Sequence, residues 1–229
     1  MTRFGLVLLV VLAAGPLKGQ VGYLPANSPY LDLGSSQEVT LLTGILRTHR
    51  DPAGVAPQTG PLEGLGYEWR AGGSPFHLAV NLETIQSKRL IINAAATDTV
   101  KRDLGTQYLP LYNADFSVAL GLTGSRTWHH LIPMITVGLG TITDLRGRDT
   151  SSFDFGTRFS FTWGGGVRWV PNERFQVRAD FTDHMYTIDY PESYYEAPAA
   201  NVPPLLTAAV NKSRWTHNPS LTLGFSFLH

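Results

Sequence analysis

Cysteine is absent from this chain, which excludes disulfides, thiolate metal sites and a lipoprotein-type lipid anchor. Neither sign of charge is in excess, since 18 basic residues stand against 18 acidic ones. A near-neutral chain carries no basic footprint for nucleic acid. Long apolar runs are scarce as well. The one that stands out, from Phe4 to Ala14, is too short to span a bilayer as a helix. It follows Met1-Thr2-Arg3 and precedes Gly15-Pro16-Leu17-Lys18-Gly19. A basic start, an apolar centre and small residues are the parts of a secretory signal peptide. The expectation is a leader over residues 1–19, cut near Gly19, that directs export to the periplasm. About 210 residues remain, enough for one all-β domain.

What the chain does have is a period of two. Its last residues run Leu221-Thr222-Leu223-Gly224-Phe225-Ser226-Phe227-Leu228-His229. Successive side chains of a strand point to opposite faces, so Leu221, Leu223, Phe225 and Phe227 share one surface. An uncovered apolar strand is a hazard in water, but lipid would cover it in a membrane barrel. Seven further segments repeat the pattern. The first, about Glu38 to Leu46, is apolar on both phases, and Val39, Leu41 and Ile45 are assigned outward. The second sends Leu65, Tyr67 and Trp69 outward against Gly66, Glu68 and Arg70. The third sets Phe76, Leu78, Val80 and Leu82 against His77, Asn81 and Glu83. In the fourth, Tyr112, Ala114, Phe116, Val118, Leu120 and Leu122 oppose Asn113, Asp115 and Ser117. The fifth turns Leu131, Ile135, Val137 and Leu139 outward. The sixth does the same with Phe159, Phe161, Trp163, Val167 and Trp169 against Arg158, Ser160, Thr162 and Arg168. The seventh sets Phe175, Val177, Ala179 and Phe181 against Gln176, Arg178, Asp180 and Thr182.

The connections alternate in length. Ala71–Pro75, Thr123–Arg126 and Pro171–Arg174 are short and rich in turn formers. Those near 48–61, 86–108, 143–157 and 187–214 are long. Strict alternation predicts an all-β fold: an eight-stranded up-and-down antiparallel transmembrane β-barrel over residues 37–229, with short periplasmic turns and long extracellular loops. Residues 20–36, with Pro25 and Pro29, have no period and read as a periplasmic lead-in or a short plug. A soluble lipocalin-type barrel would reverse the facing. Against it, Trp69, Phe76, Trp128, Trp169, Phe175 and Phe227 gather beside the short turns, as an interfacial aromatic belt requires.

On this pattern the chain resembles the small eight-stranded outer-membrane barrels of the OmpA transmembrane domain and OmpX. The resemblance covers about residues 37–229 and is architectural. It implies outer-membrane lipid and lipopolysaccharide around the barrel, and periplasmic chaperones and the barrel-assembly machinery during biogenesis. The terminal strand, with Leu221, Leu223, Phe225 and Phe227, would be the assembly signal, although His229 stands where an aromatic is commonest. The resemblance implies no cofactor, no metal and no enzymatic activity.

Inward, the pattern collects Glu68, Arg70, Glu83, Asp115, Arg158, Arg168, Arg178 and Asp180. A bore of eight strands is just wide enough for side chains to fill, so these charges are expected to pair as a structural plug or to line a gated ion path. Closing the sixth and seventh strands so that Trp169 faces Phe175 sets Gly166 opposite Arg178 and Gly164 opposite Asp180. Asp183-His184 and His217 fall near the outer rim. Outer-membrane proteases of the omptin type and lipid A acyltransferases or deacylases keep His and carboxylates there. Adjacent Asp183 and His184, however, point to opposite faces of a regular strand. His129-His130 lies by a short turn and suits an interfacial role. Asp144, Asp149 and Asp154 match no spaced calcium motif and leave only cation bridging to lipopolysaccharide. In the last long loop, Tyr186, Tyr190, Tyr194 and Tyr195 fit either a surface that binds an extracellular ligand or an anchor at the membrane boundary. The function expected is structural, in envelope integrity or surface interaction through the loops. A rim-located enzyme and a small passive channel are the alternatives.

Overall fold

A computed structural model describes residues 28–49, 51–145 and 152–229. The proposed leader, residues 20–27 of the lead-in and Asp149 lie outside the described residues. The period of two becomes ten strands: β1 (Tyr30–Asp32), β2 (Gln37–Leu46), β3 (Gly60–Arg70), β4 (Phe76–Ile92), β5 (Asp103–Gly121), β6 (Arg126–Trp128), β7 (Leu131–Thr143), β8 (Thr157–Trp169), β9 (Phe175–Asp189) and β10 (Ser213–Leu228). Eight of them are staves, paired antiparallel in the order β2-β3-β4-β5-β7-β8-β9-β10. β10 then pairs back onto β2, with Leu223 across from Thr43 and Phe225 across from Leu41. Closure leaves no stave with a free edge. The short β1 and β6 pair with each other at the short-turn end.

The outside is apolar and the inside polar. Leu223, Leu221 and Leu82 are 59%, 58% and 55% exposed, while Thr40, Ser226 and Arg168 are buried. Val39, Leu41 and Ile45 of β2 face outward, as expected, and Leu42 and Leu46 face the bore. A soluble barrel would have these phases exchanged.

Three features depart from the sequence reading. First, Trp169 lies across from Val177, not Phe175, so Arg168 faces Arg178, Gly166 faces Asp180 and Gly164 faces Thr182. Val170 continues the β7 side by donating to His130 O at 2.8 Å, and Asn172 Oδ1 accepts the Arg174 and Phe175 N–H groups. The hairpin is therefore two residues wider than the pairing of Trp169 with Phe175 would make it. A slip of two preserves the facing of every side chain, so alternation cannot detect it. Second, the connection expected over 86–108 is mostly strand. β4 and β5 stay paired from Gln86 and Pro110 up to Leu90 and Thr106, and only residues 93–102 remain between them.

Third, the long-loop mouth is closed by an apolar core. Near that end the inward phase changes from polar to Leu46, Leu62, Ile85, Leu111, Ile142 and Ile188, and Val55, Phe153, Phe155 and Leu206 fold in from the loops. Tyr186, Tyr190 and Tyr194 belong to this core, so they form neither a binding surface nor a boundary anchor; of the four tyrosines only Tyr195 is partly exposed. Burying these rings contributes more as packing than a tethered loop surface would gain. Asp51 holds the first loop in place: Oδ1 accepts the N–H groups of Ala53 and Gly54 at 2.8 Å and the Tyr190 hydroxyl at 3.1 Å, and Oδ2 accepts Ala56 N–H at 2.5 Å. The short-turn mouth has its own plug. Ala119, Ile132, Met134 and Val170 cluster there with Leu33 and Leu228 packed against them.

Candidate functional site

Between the two plugs lies a band of buried charge. Arg168 of β8 reaches across the bore to Glu68 of β3, with Nη1 donating to Oε1 at 2.5 Å and Nη2 to Oε2 at 2.7 Å. His77 Nδ1 donates to the same Oε1 at 2.6 Å. Arg178 donates through Nε to Asp180 Oδ2 at 2.6 Å and lies 3.6 Å from both Glu38 Oε1 and Glu68 Oε2. Gln176 Nε2 donates to Glu38 Oε2 at 3.0 Å, and the Thr40 hydroxyl contacts Glu38 at 3.4 Å and Ser226 at 2.7 Å. Each ion thus has both an opposite charge and a hydrogen-bond partner, without which burial in a narrow bore is costly. Small residues make the space. A Cβ on Gly224 would meet Arg178 Cγ at 2.5 Å, and one on Gly166 would collide with Asp180.

One storey nearer the loops sit two carboxylates bridged by amides. Asn113 Nδ2 donates to Glu83 Oε2 at 2.9 Å and to Asp115 Oδ2 at 3.3 Å, and Asn81 Nδ2 donates to Asp115 Oδ1 at 3.1 Å. The free space between the storeys is about 40 Å³, room for roughly two or three waters.

The eight charges read from the sequence therefore do not form one network. Glu68, Arg168, Arg178 and Asp180 come together, and Glu83 with Asp115 forms the second group. Arg158 lies at the loop end, paired with Asp189 and donating to Phe155 O at 2.6 Å. Arg70 lies at the opposite end, where Nη2 donates to Leu33 O at 2.7 Å. Glu38 and His77 belong to the central network and were missed. Glu38 falls in the strand whose facing was ambiguous, although it follows once Val39 is placed outward. His77 was read as inward but not counted among the charges. Of the aromatic set, Phe76, Trp128, Trp169, Phe175 and Phe227 are exposed near the short turns, whereas Trp69 is half-buried beside Tyr67 and Phe116. Leu221, Leu223, Phe225 and Phe227 all face outward.

The histidines separate as well. His184 is buried in the bore, with Nε2 3.1 Å from the Ser220 hydroxyl. Asp183 instead sits on the outer phase and is tucked against the wall, where Oδ2 accepts from His217 Nδ1 at 2.6 Å and Oδ1 accepts Asn218 N–H at 2.8 Å. His217 itself is exposed, and its carbonyl accepts from His49 Nδ1 at 3.1 Å. A carboxylate–imidazole pair therefore faces outward at the loop end of the β9–β10 seam. Among the described residues no hydroxyl hydrogen-bonds to the His217 ring, and no group of three or more His, Asp or Glu could hold a metal ion.

No protein-family model matches the chain, and a search of the curated proteins finds no match. Solved structures do match in fold. Neisserial surface protein A is 12% identical with a TM-score of 0.51, over 84% of this chain and 97% of that one. The N-terminal β-barrel domain of Pseudomonas aeruginosa OprF is 14% identical with a TM-score of 0.40, over 84% of this chain and 98% of that one. Ail of Yersinia pestis, solved in complex with the heparin analogue sucrose octasulfate, is 12% identical with a TM-score of 0.36, over 84% and 99%. By fold, the chain is a small, closed eight-stranded antiparallel β-barrel, the fold of these outer-membrane proteins.

Proposed function

We propose that this is a non-enzymatic outer-membrane protein whose barrel anchors a surface that interacts outside the cell, after export directed by residues 1–19. The observation that carries the reading is the sealing of the bore: apolar plugs at both mouths and paired charges between them. A sealed cylinder with an oily exterior suits a membrane anchor and speaks against transport. The loop tyrosines are consumed in the upper plug, so the β4–β5 extension is left as the presenting element. It carries exposed Val100, Leu104 and Tyr108 beside the exposed Lys88 and Lys101. Replacing residues 94–101 by a tight turn is expected to abolish adhesion or resistance phenotypes while leaving the heat-modifiable gel mobility of the barrel intact. Unchanged phenotypes would move the role to envelope integrity, scored by detergent sensitivity of a deletion strain. Steady porin-size currents in planar bilayers would defeat the sealed-bore reading.

A second reading, a rim enzyme acting on lipid A or peptides, is favoured by one observation, the Asp183–His217 pair. An Asp-oriented imidazole is half of a hydrolytic apparatus, and the nucleophile is the missing half. Lipid A profiles by mass spectrometry that are identical with and without the protein, and with His217→Ala, would leave it unsupported.

A further inference from the structure

We propose that the upper charged storey of the bore is a binding site for one calcium ion, taken up as the barrel folds and enclosed afterwards. This goes beyond the anchoring role and needs no partner outside the cell. Between the two plugs, even with Arg70 counted, the bore holds five carboxylates, Glu38, Glu68, Glu83, Asp115 and Asp180. Against them stand three guanidiniums, Arg70, Arg168 and Arg178. Five against three leaves two negative charges over. Glu38, Glu68 and Asp180 share Arg168, Arg178 and the His77 ring in the lower storey. The excess therefore falls on Glu83 and Asp115, and no guanidinium or imidazole nitrogen comes within 4.0 Å of either. They receive only amide N–H groups, from Asn81 and Asn113.

A carboxylate pair inside an oil-clad cylinder is costly without a counter-charge beside it. The cavity of about 40 Å³ lies there, and oxygen lines it, from Glu83, Asp115, Asn81, Ser117, Thr136 and Thr162. That space takes one ion with roughly one or two waters. Glu83 is bonded through Oε2 alone, which leaves Oε1 for a ligand. Asn113 Oδ1 is buried beside the pair with no hydrogen-bond partner. Asp115 and Asn113 are themselves 7% and 2% exposed. The other ionisable groups around the cavity are engaged elsewhere: Arg178 with Asp180, Glu68 with Arg168, and His184 with Ser220.

Four adjacent staves supply the oxygens: β4 brings Asn81 and Glu83, β5 Asp115 and Ser117, β7 Thr136, and β8 Thr162. Glycines of β7 let them converge. A Cβ on Gly138 would meet Thr162 Oγ1 at 2.5 Å and Ser117 Cβ at 2.9 Å, and one on Gly140 would meet Asp115 Cβ at 2.7 Å.

The donors pick the ion. Only two are carboxylates, matching a double charge, and the rest are neutral amide and hydroxyl oxygens. Calcium accepts about six to eight oxygens in flexible geometry, whereas magnesium demands a near-ideal octahedron that four separate staves do not build. Apolar plugs close both mouths, so the ion enters before the cylinder shuts and stays while it remains folded. Its binding becomes part of the folding free energy.

The test refolds the full barrel from urea into maltoside micelles with calcium or with EDTA. Each sample is then desalted in EDTA, and its metal is counted by elemental mass spectrometry. The expected result is about one calcium per barrel when the metal is present during refolding, and less than about a tenth when it is added afterwards. The loaded barrel should keep its heat-modifiable mobility to a temperature about 5–10 °C higher. Glu83→Gln and Asp115→Asn should each lower the retained metal about tenfold, while Glu63→Gln, at an exposed position of β3, should not change it. Calcium that is never retained, that EDTA strips from the folded barrel, or that both bore variants hold equally overturns the site. Equal retention of magnesium overturns the assignment to calcium. The order of addition needs no substitution, so it decides the matter even where a variant fails to fold.

Discussion

Glu68 and Arg168 meet through two parallel hydrogen bonds of 2.5 and 2.7 Å, from opposite walls of the bore. Removing one partner strands the other. Glu68→Gln is expected to cost about 3–5 kcal/mol, and the double change Glu68→Gln with Arg168→Met is expected to recover much of it, because a buried charge costs most when unpaired. Urea titration of the barrel in lipid vesicles measures both. A neutral effect of Glu68→Gln would mean that water, not protein, solvates the band.

The facing of the wall is tested at Val137, half-exposed between Val118 and Trp163 of the flanking staves. An arginine there is expected to cost about 2–4 kcal/mol of folding free energy in a bilayer if the residue lies near the midplane. In a wall facing water the same change would be close to neutral.

Close approach sets a third expectation. Gly224→Leu must displace Arg178 Cγ and Thr40 Cγ2, which stand 2.5 and 2.9 Å from the added Cβ. A loss of about 1–3 kcal/mol is expected from the overpacking. Gly34→Ala, with nothing within 4 Å, should stay within about 0.5 kcal/mol.

Alkali should loosen the upper plug. Burial, reinforced by the Asp51 carboxylate, pushes the Tyr190 hydroxyl above the ordinary tyrosine range. The folded-state value exceeds the unfolded one, so the contribution is complete below about pH 10 and is lost as the pH rises toward the raised value. Tyr190→Phe is expected to flatten the alkaline fall in thermal midpoint. An identical slope in both proteins would remove Tyr190 from the account.

Most of the architecture could be read from alternation alone, because a period of two fixes facing stave by stave. β2 resisted for a physical reason: Leu46 faces inward in the upper plug and Leu42 faces inward onto the space between the charged storeys, so both phases look apolar. The same plug explains why the loop tyrosines misled. A ring that closes a mouth and a ring that offers a surface have the same sequence signature. Pairings across strands depend on register, which alternation leaves undetermined in steps of two. Asp183 with His217, and Arg168 across from Arg178, became visible only once register was known.

β1 docks on β6 rather than on its neighbour in the chain, and Arg126 Nε meets Asp32 Oδ1 although 94 residues separate them. The stretch ahead of the first stave is thereby tied to the hairpin between the fourth and fifth staves, and Leu33 takes its seat on Ala119, Ile132, Met134 and Val170. Halves of the chain that share no neighbouring stave are clasped together beneath the cylinder, so severing Arg126 from Asp32 would free the entrance segment without opening the wall.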